Sequence, residues 1–218
     1  MHELASEFRR TERRHMIRVK EALQAALATP GGHAALALAC VEHLGFIIGR
    51  FLVQGRLNVR HLEPRITAAG DGEGRQVIDG IAHTLAGCEA ALAELQAAAA
   101  RLKNSGTDAS ADFEASAERF LAFYDSTLAS RKDPAQQIIR QYFTDGEYWA
   151  LTDDISDEVI DKERDLFARI VELAPAAVAA QLEAPWPEPP VQQAPTAPVR
   201  GRADQGLSRP GQKQLRGI

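Results

Sequence analysis

The stretch FYDSTLASRKDP, residues 123–134, poses a chemical question. On a helical reading Phe113, Ala117, Phe120 and Tyr124 share one face, and the next positions on it are Thr127 and Arg131. A hydroxyl and a guanidinium there interrupt a row of core-type residues. Other helical stripes are interrupted too: by His15, by Gln54 and Asn58 four apart, and by Cys88. Helix bundles build ligand and metal sites from side chains of this kind, pointing inward from facing helices. If buried they must satisfy one another, since an unpaired buried polar atom costs ~1–3 kcal/mol. If they are buried, a network linking His15, Gln54, Asn58, Thr127 and Arg131 is therefore the minimum physical expectation. A guanidinium in such a chamber could also hold a small anion.

The elements that would position these residues follow from 3.6-residue periodicity and breakers. The pattern predicts a first helix over about Leu4 to Ala28, ended by TPGGH. A second runs from about His33 to Leu62 on Leu36, Cys40, Ile47, Phe51, Gln54, Asn58 and His61, with EPRITAAGDGEGR as the connection after it. A third covers about Gln76 to Lys103, and a fourth about Ala109 to Lys132 before Pro134 interrupts it. Thr144 with Glu147 three later is a capping-box pattern, beyond which Tyr148, Trp149, Leu151 and Ile155 could fold back. A further helix over about Asp157 to Leu182 has Pro175 as its weak point. The expectation is an all-α chain: an antiparallel up-down-up-down four-helix bundle with an additional C-terminal helix and a disordered Pro-rich tail.

Composition agrees. Apolar residues are 45% of the 218 and aromatics only 6%, with Ala abundant, which suits helices better than a β-sandwich. Net charge is −5: residues 1–183 carry −8, and 184–218 carry +3 and seven of the eleven prolines. The bundle is thus expected over 1–183 (core about 5–155, extra helix about 157–182), with 184–218 a disordered basic tail and possible partner arm anchored by Trp186. The acidic body argues against nucleic acid as a partner. Cys40 and Cys88 lack a framework spacing and read as reduced, buried thiols. The charged start MHELASEFRRTERRH has no apolar h-region, and no uncharged apolar run approaches the ~18 residues that span a bilayer. The expected location is cytoplasmic, with no membrane partner.

The layout resembles the hemerythrin-like family, the HHE cation-binding domains. The family carries one His, then His-x3-Glu, then one His, then His-x3-Glu on successive helices around a di-iron centre. VEHLGFIIGRFLVQGRLNVRHLEPRI is similar to its second helix, where Leu-Phe-Pro follows the ligand pair, as Leu62-Glu63-Pro64 does here. FLAFYDSTLASRKDPAQQIIRQYFTDGEYWALTDD is similar to its fourth helix and the segment after it. The resemblance covers about residues 5–155 and places His15 at the first ligand. With Pro64 aligned to the family proline, Gln54 and Asn58 fall where His and Glu belong. Cys88 falls near the third-helix His, with His83 five residues earlier, and Thr127 and Arg131 replace the last pair. Amides and hydroxyls are poor ligands for two irons, and a permanently protonated guanidinium repels cations.

Two readings follow. The first is a non-enzymatic structural, sensing or interaction module that has lost the di-iron site and holds no cofactor. The second is an iron-binding, oxygen- or NO-responsive protein using a rearranged set such as His15, Cys88, His83 and Glu12. His33, His43, His61 and His83 show no HxxxH or HExxH spacing, so nothing points to zinc. DDISDEVIDKERD lacks the Gly and oxygen spacing of a calcium loop and reads as a solvated helix face. No Ser-His-Asp or Cys-His arrangement suggests an enzyme.

Overall fold

The computed structural model describes residues 2–29, 33–105, 109–128, 134–144, 146–148 and 156–185. All described elements are helical: α1 (His2–Leu27), α2 (Ala34–Ala69), α3 (Gly72–Ser105), α4 (Ser110–Phe123) with a π-helical turn Tyr124–Leu128, α5 (Pro134–Tyr142), α6 (Asp157–Leu173) and α7 (Ala176–Glu183).

Helices α1 to α4 run antiparallel in succession, as the cross-links show. Glu12 pairs with Arg50 and His15 lies near His43 across α1 and α2. Arg56 pairs with Glu89, and Gly45 lies against Gln96, across α2 and α3. Arg101 pairs with Asp112 and Glu94 with Arg119 across α3 and α4. Lys20 Nζ donates to Asp125 Oδ1 at 2.6 Å, tying α1 to the π turn. Helix α6 lies antiparallel to α2, with Arg169 on Glu42 and Lys162 over the ring of Phe46.

The main core is apolar and joins most of these elements. Val19, Leu23, Leu36, Cys40, Leu44, Ile48, Cys88, Leu95, Ala117, Phe120, Ile170 and Leu182 are all buried in it. The C-terminal helices are therefore part of that core through Ile170 and Leu182. A second cluster of Leu62, Ile66, Ile78, Ile138, Ile139 and Phe143 seats α5 on the α2–α3 hairpin, with Tyr148 packed against it.

Helix α2 passes straight through Pro64, where the sequence suggested a connection. Proline costs an interior helix ~3 kcal/mol. Full burial of Leu62 and Ile66 on either side offsets this at ~1.5–3 kcal/mol each. The helix ends at Gly70, whose left-handed φ of 66° lets its N–H reach back to Ile66 and Thr67. Asp71 then accepts from the Gly74 N–H at 2.9 Å and starts α3. The same carboxylate accepts from Tyr142 Oη at 2.6 Å, which fastens α5 to the turn.

Helix α4 stops at Phe123, sooner than its pattern suggests, and passes into the π turn that holds Thr127. Pro134 opens α5, a position where its missing N–H is harmless. The Thr144–Glu147 capping box is present: Thr144 N–H donates to Glu147 Oε2 at 2.8 Å, and Glu147 N–H donates to Thr144 Oγ1 at 3.3 Å. Pro175 separates α6 from α7, as its position suggested. By length and composition alone α2 could cross a membrane; 56% of its most apolar window is buried within the protein.

Candidate metal centre

Two neighbouring rows of α2 are buried, Leu36–Cys40–His43–Ile47 and Ala37–Val41–Leu44–Ile48. The first row carries His43 into the contact with α1 and α6. Helix α6 turns Ile160, Glu163, Phe167 and Ile170 to one side, three or four residues apart. Helix α1 brings His15 to the same place, one turn before the buried Val19.

The three polar side chains meet on one oxygen. His15 Nδ1 lies 2.7 Å from Glu163 Oε1, and His43 Nε2 lies 3.0 Å from the same atom. His43 is 0% exposed and Glu163 3%, while the His15 side chain is 21% exposed and forms the edge towards solvent. A carboxylate only accepts, so each of those ring nitrogens carries the proton it shares. Burial alone pushes the Glu163 carboxyl up. The hydrogen bonds and positive charge of His15 and His43 outweigh it and hold the group at about 2.

With Nε2 of His43 committed to Glu163, its Nδ1 is buried without a hydrogen-bond partner among the described residues. Such an orphan costs ~1–3 kcal/mol. Packing alone would favour an apolar side chain here, so His43 needs another reason to be present.

Two imidazoles and a carboxylate are a donor set for a first-row divalent ion: zinc in a His2Glu site, or non-haem iron(II) in a two-His, one-carboxylate site. One ligand atom from each of His15, His43 and Glu163 lies within 4.8 Å of the others. Metal bonds of about 2.0–2.2 Å suit a span of that size. The ion would take the place of the two shared protons between Glu163 and the imidazoles. The residues fit the group.

No known protein family, curated protein or solved structure matches the chain.

The residues singled out by sequence sit as follows. His15 belongs to the cluster. Gln54 Nε2 donates to Asn58 Oδ1 at 3.0 Å, so these half-buried amides bond each other within α2. Cys88 is fully buried in the main core, and burial pushes its thiol up to about 11 and that of Cys40 to about 12. Thr127 Oγ1 bonds Ser126 Oγ at 3.2 Å in the π turn. Arg131 lies outside the described residues, as does Asp133. Among the described residues no hydrogen bond links His15 to Gln54, Asn58, Cys88 or Thr127. Of the alternative ligand set, Glu12 receives Arg50 Nε at 3.2 Å and His83 is exposed.

His43 and Glu163 complete the cluster without having stood out in the sequence. The acidic run is only partly the solvated face expected of it. Asp157, Glu158, Asp161, Lys162, Arg164 and Asp165 are exposed, whereas Glu163 points inward.

Proposed function

We propose that this chain is a hemerythrin-like antiparallel four-helix bundle, formed by α1–α4, that binds a single divalent transition-metal ion in place of an iron pair. His15, His43 and Glu163 hold the ion, and α6 supplies the carboxylate that the family resembled takes from its second and fourth helices. The antiparallel pairing of α1 to α4 and the Lys20–Asp125 bridge back to α1 support the bundle. One observation carries the metal reading: a carboxylate and an imidazole, both almost fully buried, converge with a second imidazole from three separate helices.

The role is sensing or interaction rather than catalysis. A solvent-open groove of about 400 Å³ lies between α1 and α4 with its π turn, lined by Gln24, Leu27, Glu118 and Asp125 among others. Gln24 is nine residues beyond His15, or about 13 Å along the helix, so a substrate there would not reach the ion. The protein is read as cytoplasmic, and the 184–218 tail, whose residues 186–218 lie outside the described ones, as a partner arm. The satisfied bonds of Glu163 to both imidazoles favour a second reading, a purely structural polar cluster.

Metal analysis of the full chain purified from cells supplied with iron and zinc tests the proposal. Near-stoichiometric metal that is lost in Glu163→Gln is expected. Metal no higher in the parent than in that variant would leave the structural cluster as the answer.

A further inference from the structure

His15 and His43 both belong to the first two helices, whereas Glu163 is contributed by α6, 120 residues after His43. Two of the ligands thus belong to the body whether or not α6 is docked. The third is present only when it is.

Little else fastens α6. Of its 17 residues only Glu163 and Ile170 are buried, so its apolar contribution is one fully buried side chain and partly buried neighbours. Apart from Glu163, its polar ties to the body among the described residues include Arg169 to Glu42, between side chains 59% and 56% exposed, and Lys162 over the Phe46 ring. Such pairs contribute ~0–1 kcal/mol. Phe167 stacks on His15, and α7 adds Leu182 and the bonds from Arg18 to the Leu182 and Ala184 carbonyls. The buried carboxylate itself is held by both imidazoles of the body, and a bound ion would replace those two hydrogen bonds with ligand bonds.

We infer that metal occupancy of this centre regulates the docking of the α6–α7 arm: the ion is a clasp between Glu163 and the two imidazoles of the body. The inference rests on the metal reading given above. Linkage makes the coupling reciprocal, so the factor by which a docked arm tightens the ion is the factor by which the ion tightens the arm. Release of α6 would uncover His43 and the α1–α2 face behind it. The body would then present an apolar surface, with a histidine at its centre, whose exposure depends on divalent metal.

The experiment uses the chelator-stripped full chain with and without saturating Zn²⁺, a redox-inert probe. Amide hydrogen exchange is read over 157–183, with 85–102 of α3 as the internal control, and calorimetry reads binding in parallel. Zn²⁺ is expected to slow exchange of α6 by about tenfold, within the common range of coupling between sites, and to leave α3 unchanged. Ile170→Ala, which alters none of the three ligands, should weaken Zn²⁺ binding several-fold by loosening the arm. Zn²⁺ that binds without slowing α6 overturns the clasp and leaves the metal centre standing. Failure of Zn²⁺ to bind overturns both.

Discussion

The imidazole of His15 lies flat on the phenyl ring of Phe167, with ring centroids 3.8 Å apart and planes 8° from parallel. Phe167 is one helical turn beyond Glu163, so a single face of α6 both stacks the ring and accepts its Nδ1 proton. The stack fixes the direction in which the ring nitrogen points. Phe167→Leu keeps an apolar side chain and removes the flat support. It should weaken Zn²⁺ binding about 10–100-fold, as loss of ligand-orienting contacts does. An unchanged dissociation constant would show that His15 needs no such support.

Removing the acceptor should be costly even without metal. Glu163→Ala leaves His15 and the buried His43 with donors and no carboxylate, an expected loss of about 3 kcal/mol in urea unfolding. Glu163→Gln retains one acceptor oxygen and should lose less. Equal midpoints for Glu163→Ala and the parent would mean that the side chain is not buried in solution.

The same carboxylate predicts an acid-sensitive step. Its folded value of about 2 is below the ordinary 4.5, so the folded state binds the proton more weakly than the unfolded chain. Its contribution is complete above about 4.5 and is lost as pH falls towards 2. Glu147 is also held at about 2, by the Thr144 backbone N–H and then by Arg65, so some acid sensitivity persists in any Glu163 variant. The slope of stability against pH in this window should be shallower in Glu163→Gln than in the parent. Parallel curves would contradict the assignment.

At the tip of the α2–α3 hairpin, Gly70 has a φ of 66° and open space around its missing Cβ. Gly70→Ala therefore meets no clash and bears only the left-handed backbone penalty, about 1–2 kcal/mol. A lower melting temperature with unaltered Zn²⁺ binding is expected. A neutral effect would place the helix end elsewhere.

Much of the fold was legible because periodicity and caps are local. The extents of α1 and α3, the Thr144–Glu147 box and the break at Pro175 needed no tertiary information. Pro64 misled because its lost hydrogen bond is visible in sequence, while the burial of Leu62 and Ile66 that outweighs it is not. Phe51 was placed on the inward stripe of α2 and is 47% exposed, since the long helix buries two adjacent rows and one row cannot fix the phase. The same ambiguity hid His43, one step after Cys40 on a row traced directly to Ile47. Glu163 was concealed by its acidic neighbours, although the Ile160–Glu163–Phe167–Ile170 spacing already put a carboxylate on an apolar stripe. What joins it to His15 and His43 is packing across 148 and 120 residues, which no local pattern carries.

The most direct test of the metal centre is calorimetric titration of the chelator-stripped chain with Zn²⁺, and with Fe²⁺ under anaerobic conditions, beside His15→Ala. That variant removes a partly exposed ring and so spares the core. One ion per parent chain, bound more than about a hundredfold less tightly by the variant, is the predicted result. No uptake by the parent, or equal uptake by both, would contradict the account.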